Sequence, residues 1–280
     1  MIAENKRSTG DTNHGAEDIQ RKVLFSARGL RKKFPVGIKT SDIYEAISGI
    51  DLEIYEGECL VIAGANGSGK TLLIRMLAGL LEPTEGEIFF KGKALGQCRR
   101  LLRSSVGIVF QDSDAQILGE TVEEDIRFGP ENLKLPAQEI ESRLEQSLAA
   151  LELTEKRDFA ARRLSGGEKR RLAVAGILAM GCETVFMDEP FTNMDWPGVI
   201  QVLKIIEDLK RSEKTVIILT HELEKVLAFA DRLVILAGGK IRAQGESEAV
   251  LNQLDPAWGV RDPRAVYREA KDCTWLKNEK

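Results

Sequence analysis

Eight consecutive residues, Gly64-Ala65-Asn66-Gly67-Ser68-Gly69-Lys70-Thr71, have the composition and spacing to cradle a phosphate chain. They read G-x-x-x-x-G-K-T. Gly64, Gly67 and Gly69 let the backbone curl toward an anion with no Cβ in the way. Successive N–H groups and a helix N-terminus then face the phosphate oxygens. Lys70 brings a point charge to β- and γ-phosphates, and the Thr71 hydroxyl suits Mg²⁺. Such a loop takes a nucleoside triphosphate, but says nothing of what the energy is used for.

The loop needs a strand before it and a helix after it, and the flanks supply both. Cys59 to Ala63 is a short apolar run that reads as a buried strand, and Leu72 to Ala78 reads as a helix ending near Gly79. Upstream, Val23, Phe25 and Ala27 alternate with Leu24, Ser26 and Arg28, and Ile50, Leu52 and Ile54 alternate with Asp51, Glu53 and Tyr55. Both predict strands with one buried face, on either side of a loop around Pro35, in an antiparallel sheet beside the phosphate loop. A turn at Glu82 to Gly86 leads into a strand at Glu87 to Phe90, a short basic helix at Arg99 to Arg103 and an apolar strand at Val106 to Phe110.

From about 112 to 163 the chain reads as helical. Thr121 and Glu124 form a capping box, Pro130 and Pro136 are expected to break the run, and Ile140, Leu144, Leu148 and Leu151 share one face. A helix follows Ser165-Gly166-Gly167, with Leu172, Ala175, Leu178 and Ala179 toward the core. Then come a strand at Val185 to Met187, a helix from Val199 to Lys210, a strand at Thr215 to Thr220, and two short strands around Gly238-Gly239. Strands alternating with helices predict an α/β, doubly wound, mainly parallel sheet whose functional residues lie at the C-terminal strand ends.

The 280 residues, 43% of them hydrophobic, suffice for one large domain with a subdomain. A net charge of −4 disfavours a nucleic-acid-coating surface. Cys59, Cys98, Cys182 and Cys273 lie far apart with no C-x-x-C pair, which suits free thiols in a reducing compartment. No secretory signal is expected from the charged first residues, and no run of about 18 apolar residues is present to span a membrane. Residues 1–20 are expected to be a disordered tail in which His14 is solvated, and 251–280 a short C-terminal extension.

Beyond the phosphate loop, four stretches stand in a fixed order: Gln111 after a strand, Leu164-Ser165-Gly166-Gly167-Glu168 opening a helix, Phe186-Met187-Asp188-Glu189 ending a strand, and His221 after a strand. From about residue 23 to 250 this order resembles the ATPase subunit of ATP-binding-cassette (ABC) transporters. The resemblance implies a P-loop NTPase fold, with an ABC-type RecA-like core, an antiparallel β subdomain and an α-helical subdomain inserted at about 112–163, the whole domain spanning 21–250. It implies ATP and Mg²⁺ as ligands. ATP would be held by Gly64 through Thr71 and Leu72, and Mg²⁺ by Thr71, Gln111 and Asp188. Glu189 would polarise the attacking water, while His221 would contact the γ-phosphate and Gln111 would sense the nucleotide. Phe34 matches the adenine-stacking aromatic, with Tyr44 as the other candidate, and Asp195 matches the Asp of the loop after the catalytic Glu. Met194 and Asn193 depart from the usual pattern there. Ser165, Gly166 and Gly167 would close over ATP held by a second ATPase subunit, alike or different.

A narrower likeness, in Val109 to Leu118, Thr121 to Leu133 and Ala173 to Met180, resembles the energy-coupling factor (cobalt- and vitamin-type) ATPases. It implies an importer motor on the cytoplasmic face of the cell membrane, under a transmembrane coupling protein and a separate substrate-binding membrane protein. Other possibilities are a non-ECF ABC transporter, or an ABC ATPase acting on nucleic acid or ribosomes. For the latter the sequence has neither a long coiled coil nor a second cassette. The acidic cluster Glu120, Glu123, Glu124 and Asp125 reads either as a solvated helix start or as a docking patch for basic helices of the membrane partner.

Overall fold

The computed structural model describes residues 21–36, 43–112, 115–192 and 194–264. In chain order the elements are β1 (Val23–Pro35), β2 (Ile43–Tyr55), β3 (Cys59–Ala63), α1 (Lys70–Leu77), β4 (Glu85–Phe90), β5 (Lys93–Ala94), α2 (Arg99–Ser105), β6 (Val106–Val109), α3 (Val122–Asn132), α4 (Ala137–Ala150), α5 (Gly166–Met180), β7 (Thr184–Asp188), α6 (Trp196–Arg211), β8 (Thr215–Thr220), α7 (Leu223–Val226), β9 (Arg232–Ala237), β10 (Lys240–Gly245) and α8 (Ser247–Leu251).

The strands form two sheets. One is antiparallel, in the order β2-β1-β4-β5; the other runs β10-β9-β3-β8-β7-β6, with all pairs parallel except the β10 edge. The inner strands β3, β7, β8 and β9 are covered on both faces, which is why they read as apolar runs rather than alternating ones. Cys59, Val61 and Ala63 of β3 point into one core with Val216 and Ile218 of β8. Leu60 and Ile62 point into a second core with Ile217 and Leu219. The second core joins the two sheets: the Phe25 ring lies 4.8 Å from Phe90 and 5.7 Å from Phe186. The first core includes residues of α3, α4 and α5, so the helical insertion shares apolar cover with the sheet's other face.

β1 and β2 run longer than the alternation suggested. Their outer halves pair as far as Phe34 opposite Tyr44 and Pro35 opposite Ile43. Pro130 does not break the helical run as expected; it sits inside α3, two residues before its end. There its missing N–H costs one bond of a turn that is about to stop, and Leu133 N–H still reaches Gly129 O at 3.0 Å. Pro136 does mark a boundary, standing at the N-cap of α4. Leu178 is only half-buried, at the margin of the core. Cys59, Cys98 and Cys182 are buried free thiols. The tail 1–20, with His14, and Gly37, Asn193 and Cys273 lie outside the described residues. No described helix is long and apolar enough to cross a membrane.

Candidate active site

Register builds the site. In the parallel sheet Ala63 is level with Thr220, and Asp188 with Leu219. The loops leaving β3, β7 and β8 therefore start from one sheet edge. Gly64 N–H bonds Thr220 O at 3.3 Å and Glu189 N–H bonds Leu219 O at 2.9 Å, carrying the ladder one residue past each strand.

The phosphate loop is caged by its neighbours. Gly69 adopts φ +105°, and a Cβ there would stand 2.6 Å from Ile47 Cδ1 of β2. A Cβ on Gly64 would fall 2.3 Å from Leu236 O of β9. These two glycines are thus required by close approach as much as by the curl of the loop. Gly239 N–H holds Ser68 O at 3.1 Å from the β9–β10 turn, while its own carbonyl takes Ser48 N–H at 2.9 Å. A Cβ on Gly67, by contrast, would meet nothing within 4 Å. The loop and α1 start, Asn66 through Leu72, line a cavity of about 440 Å³ with Tyr44, Ala46, Gln111 and Glu189.

Lys70 and Glu189 are both nearly fully buried and pair at 3.2 Å between Nζ and Oε1. That oxygen has no hydrogen bond, so the contact is ionic. Lys70 Nζ donates to Gly64 O at 2.7 Å and Ala65 O at 3.3 Å. The other carboxylate oxygen of Glu189 takes His221 Nδ1 at 2.8 Å and His221 N–H at 3.3 Å. Glu189 itself has φ +50°, a left-handed conformation unusual for a side-chain-bearing residue. Strain of this kind costs about 1–3 kcal/mol and persists only where the surroundings enforce it. Here the Glu189 N–H bond to Leu219 and the clamp on its carbonyl described below do so.

Asp188 is 2% exposed, and burial raises its carboxyl above the usual range. A hydrogen bond from Thr71 pulls the other way, and the Glu189 charge adds to the rise. Its Oδ1 is buried without a hydrogen-bond partner. An orphaned carboxylate oxygen beside a threonine hydroxyl is a hard-oxygen donor set that fits Mg²⁺. A second cavity, of about 700 Å³, runs from Thr71 and Asp188 past Gln111 to Gly166 and Thr192. Gln111 lines both cavities.

The remaining sequence candidates fall in several places. Ser165 caps α5: its hydroxyl accepts Glu168 N–H while Glu168 accepts Ser165 N–H at 2.9 Å. Ser165 and Gly166 are exposed, and a Cβ on Gly166 or Gly167 would meet open space. Asp195 caps α6, taking Gly198 N–H at 3.0 Å. Phe34 is half-buried under Lys32 Nζ, 5.4 Å from its ring centroid, and does not line the phosphate-loop cavity; its cross-strand neighbour Tyr44 does.

Sequence reasoning missed Arg170. Buried on α5, it donates to Glu189 O at 2.6 Å and Gln111 O at 2.5 Å, so one guanidinium fixes the end of β7 and the Gln111 loop together. Its position five residues into the Ser-Gly-Gly helix was the only available signal. Gln116 was missed too. Its amide takes Phe110 N–H at 3.1 Å and donates to Ile108 O at 3.0 Å, standing in for a strand beside β6.

Of the two readings of the acidic cluster, the contacts within the chain support the helix start. Glu123 holds Arg127 at 2.6 Å and Arg157 at 2.5 Å. Glu124 closes the capping box on Thr121, and Asp125 accepts Leu118 and Gly119 N–H. Only Glu120 of the four has its carboxylate outside these contacts. Glu123 ties α3 to Arg157 of the segment after α4, and Glu124 and Asp125 hold the N–H groups of the loop that leads into the helix.

The ABC transporter family matches residues 47–192 of the chain. The cobalt import ATP-binding protein CbiO of Rhodobacter capsulatus is 39% identical over 248 residues, covering 87% of this chain and 86% of that one. The energy-coupling factor transporter ATP-binding protein EcfA of Methanocaldococcus jannaschii is 36% identical, covering 82% and 87%. Among solved structures, cbiO1 from Clostridium perfringens, part of the ABC transporter complex cbiONQ, superposes with a TM-score of 0.72 at 32% identity, over 83% and 92% of the two chains. A dimeric ATP-binding cassette in a post-hydrolysis state with ADP and Pi gives 0.72 at 25% identity, over 80% and 99%. The chain belongs to the ATP-binding subunits of the ABC transporter family, and its reaction is ATP hydrolysis.

Proposed function

We propose that this chain is the ATP-hydrolysing subunit of an energy-coupling-factor-type importer that takes up a vitamin or a transition-metal ion. The reading places it at the cytoplasmic face of the cell membrane, paired with a second cassette. A transmembrane coupling protein and a substrate-binding membrane protein complete the assembly. Its likeness to CbiO and EcfA over most of both chains supports the type of transporter. The observation that carries the pairing is the exposed N-terminus of α5. Ser165 and Gly166 face outward with open space over both glycines, although a helix start of this kind is an anion site. A second chain's ATP is the anion it suits.

The chemistry follows from the placed groups. Lys70 draws charge from the β- and γ-phosphates as the terminal bond loosens. Glu189 accepts a proton from a water whose oxygen bonds to the γ-phosphorus; the bond from that phosphorus to the bridging oxygen breaks, leaving ADP and inorganic phosphate. His221 holds the Glu189 carboxylate by its ring and backbone nitrogens and so fixes which oxygen faces the water. Tyr44, at the cavity rim, is the aromatic positioned to stack on a base. Thr71, Asp188 and Gln111 would hold Mg²⁺, which neutralises phosphate charge when bound.

Affinity purification of the tagged chain from its native membranes tests the reading. Recovery of integral membrane proteins together with ATPase activity is expected. Recovery of ribosomes or DNA in their place would overturn it.

A further inference from the structure

Beyond the residues matched by the family, the chain turns back toward its phosphate loop. After α8, Asp255 caps a short 3-10 turn, Pro256–Trp258, by taking Ala257 N–H at 2.9 Å. Gly259 follows at φ +68°. A Cβ built on Gly259 would stand 3.0 Å from the Cβ of Ala65, so the segment lies directly on the second residue of the phosphate loop. Both sides of this contact are anchored. Val260 is 7% exposed and belongs to the core that includes Ala63, Ile235 and Val250, with Trp258 packed on it. Arg264 reaches back to Glu248 at 2.7 Å and Asn252 at 2.8 Å, tying the segment to α8.

Ala65 is well placed to pass a displacement on. Its carbonyl accepts Ser68 N–H at 3.1 Å and Lys70 Nζ at 3.3 Å. Moving Ala65 therefore moves an acceptor of the cation that meets the phosphates. We propose that the segment Asp255–Arg264 braces the phosphate loop from outside the catalytic core, with Gly259 as a positioning residue that acts on Lys70 through Ala65. Only glycine leaves room for that approach: any side chain at 259 requires the loop or the segment to give by a few tenths of an ångström.

The test is a double-mutant cycle on ATP binding and turnover in the full chain, with Gly259→Ala, Ala65→Gly and the pair. Gly259→Ala should raise the Kd and KM for ATP about fivefold, with a smaller fall in kcat, because Lys70 is displaced while His221 and the hydrogen bonds that hold Glu189 are untouched. In the Ala65→Gly background the same change should have less than half that effect, since the methyl it pushes is gone. The left-handed φ at 259 disfavours alanine by itself, so Gly259→Asn serves as the second variant. Asparagine tolerates that φ and carries the same Cβ, and it should reproduce the loss of affinity in a folded protein. An equal effect of Gly259→Ala in both backgrounds, or unchanged ATP affinity in Gly259→Asn, would overturn the proposal.

Discussion

Replacing Glu189 by Gln should separate turnover from binding and push them in opposite directions. The carboxylate takes the water's proton in the proposed mechanism, and in the structure it is the counter-ion of Lys70 at 3.2 Å. Removing the proton acceptor should lower kcat on the order of 10²–10⁴-fold. Removing the counter-ion changes binding as well. At 3.2 Å the gross attraction is about 5 kcal/mol at an effective dielectric of ~20, and most of it is offset by the desolvation of two buried charges. ATP must draw Lys70 away from that partner, so the neutral amide should tighten ATP binding about tenfold, or ~1.4 kcal/mol. Without nucleotide the variant should be less stable, because a buried ammonium has lost its counter-charge. Two carbonyls, Gly64 O and Ala65 O, remain to hold it, so the loss should be about 1–2 kcal/mol rather than the ~3–5 of a fully orphaned ion. Steady-state ATPase, calorimetric titration with ATP and thermal unfolding with and without ATP would read the three effects. Turnover within tenfold of the parent, or weaker ATP binding, would refute the assignment of Glu189 and the reasoning about its pair.

Three further outcomes are expected. Arg170→Lys keeps the charge but not the fork that spans Glu189 O and Gln111 O. It should lower kcat about tenfold with little change in ATP affinity, checked by the KM-against-kcat split. Ser165→Arg puts bulk at the exposed α5 start and should abolish ATP-driven pairing of chains while each still binds ATP; sedimentation with a non-hydrolysed analogue would show it, and unimpaired pairing would contradict the trans arrangement. On acidification the helical subdomain should weaken. Its Glu123 is held down to about 2 by the hydrogen bond from Arg157 and then by Arg127, and Glu168 to about 2 by Lys156, from an ordinary value near 4.5. Depressed carboxylates stabilise the fold fully above pH 4.5, and that stability is lost as pH falls through about 2. Thermal melts from pH 6 downward should show a shallower acid decline in Glu123→Gln, from a lower starting point, and an unchanged slope would remove Glu123 from the account.

The sequence by itself determined the parts and their order. Glycine spacing around Lys70 carries its chemistry on its face, because few other uses explain glycines at those intervals before a cation and a helix. Apolar runs showed the central strands, since strands covered on both faces cannot alternate. Thr121-x-x-Glu124 announced a helix start through purely local hydrogen bonds, and so it could be read from four residues. Tertiary structure decided what those parts do to one another. That Glu189 pairs with Lys70 and His221 depends on β3, β7 and β8 being level at their ends, and strand register is a non-local quantity that no window of sequence contains. Arg170 carried no signal beyond its place near the start of α5, and folding buries it between the Glu189 strand end and the Gln111 loop, the latter 59 positions away in the chain. Glu123 could be read as solvated or as a docking group because its partner Arg157 lies 34 residues away. Tyr44 lines the phosphate-loop cavity and Phe34 does not, by the pairing of two long strands rather than by any property of either ring. Gly259 could be read as nothing but a loop glycine, since its reason is a methyl group 194 positions earlier, brought to it only when the C-terminal segment closes over the loop.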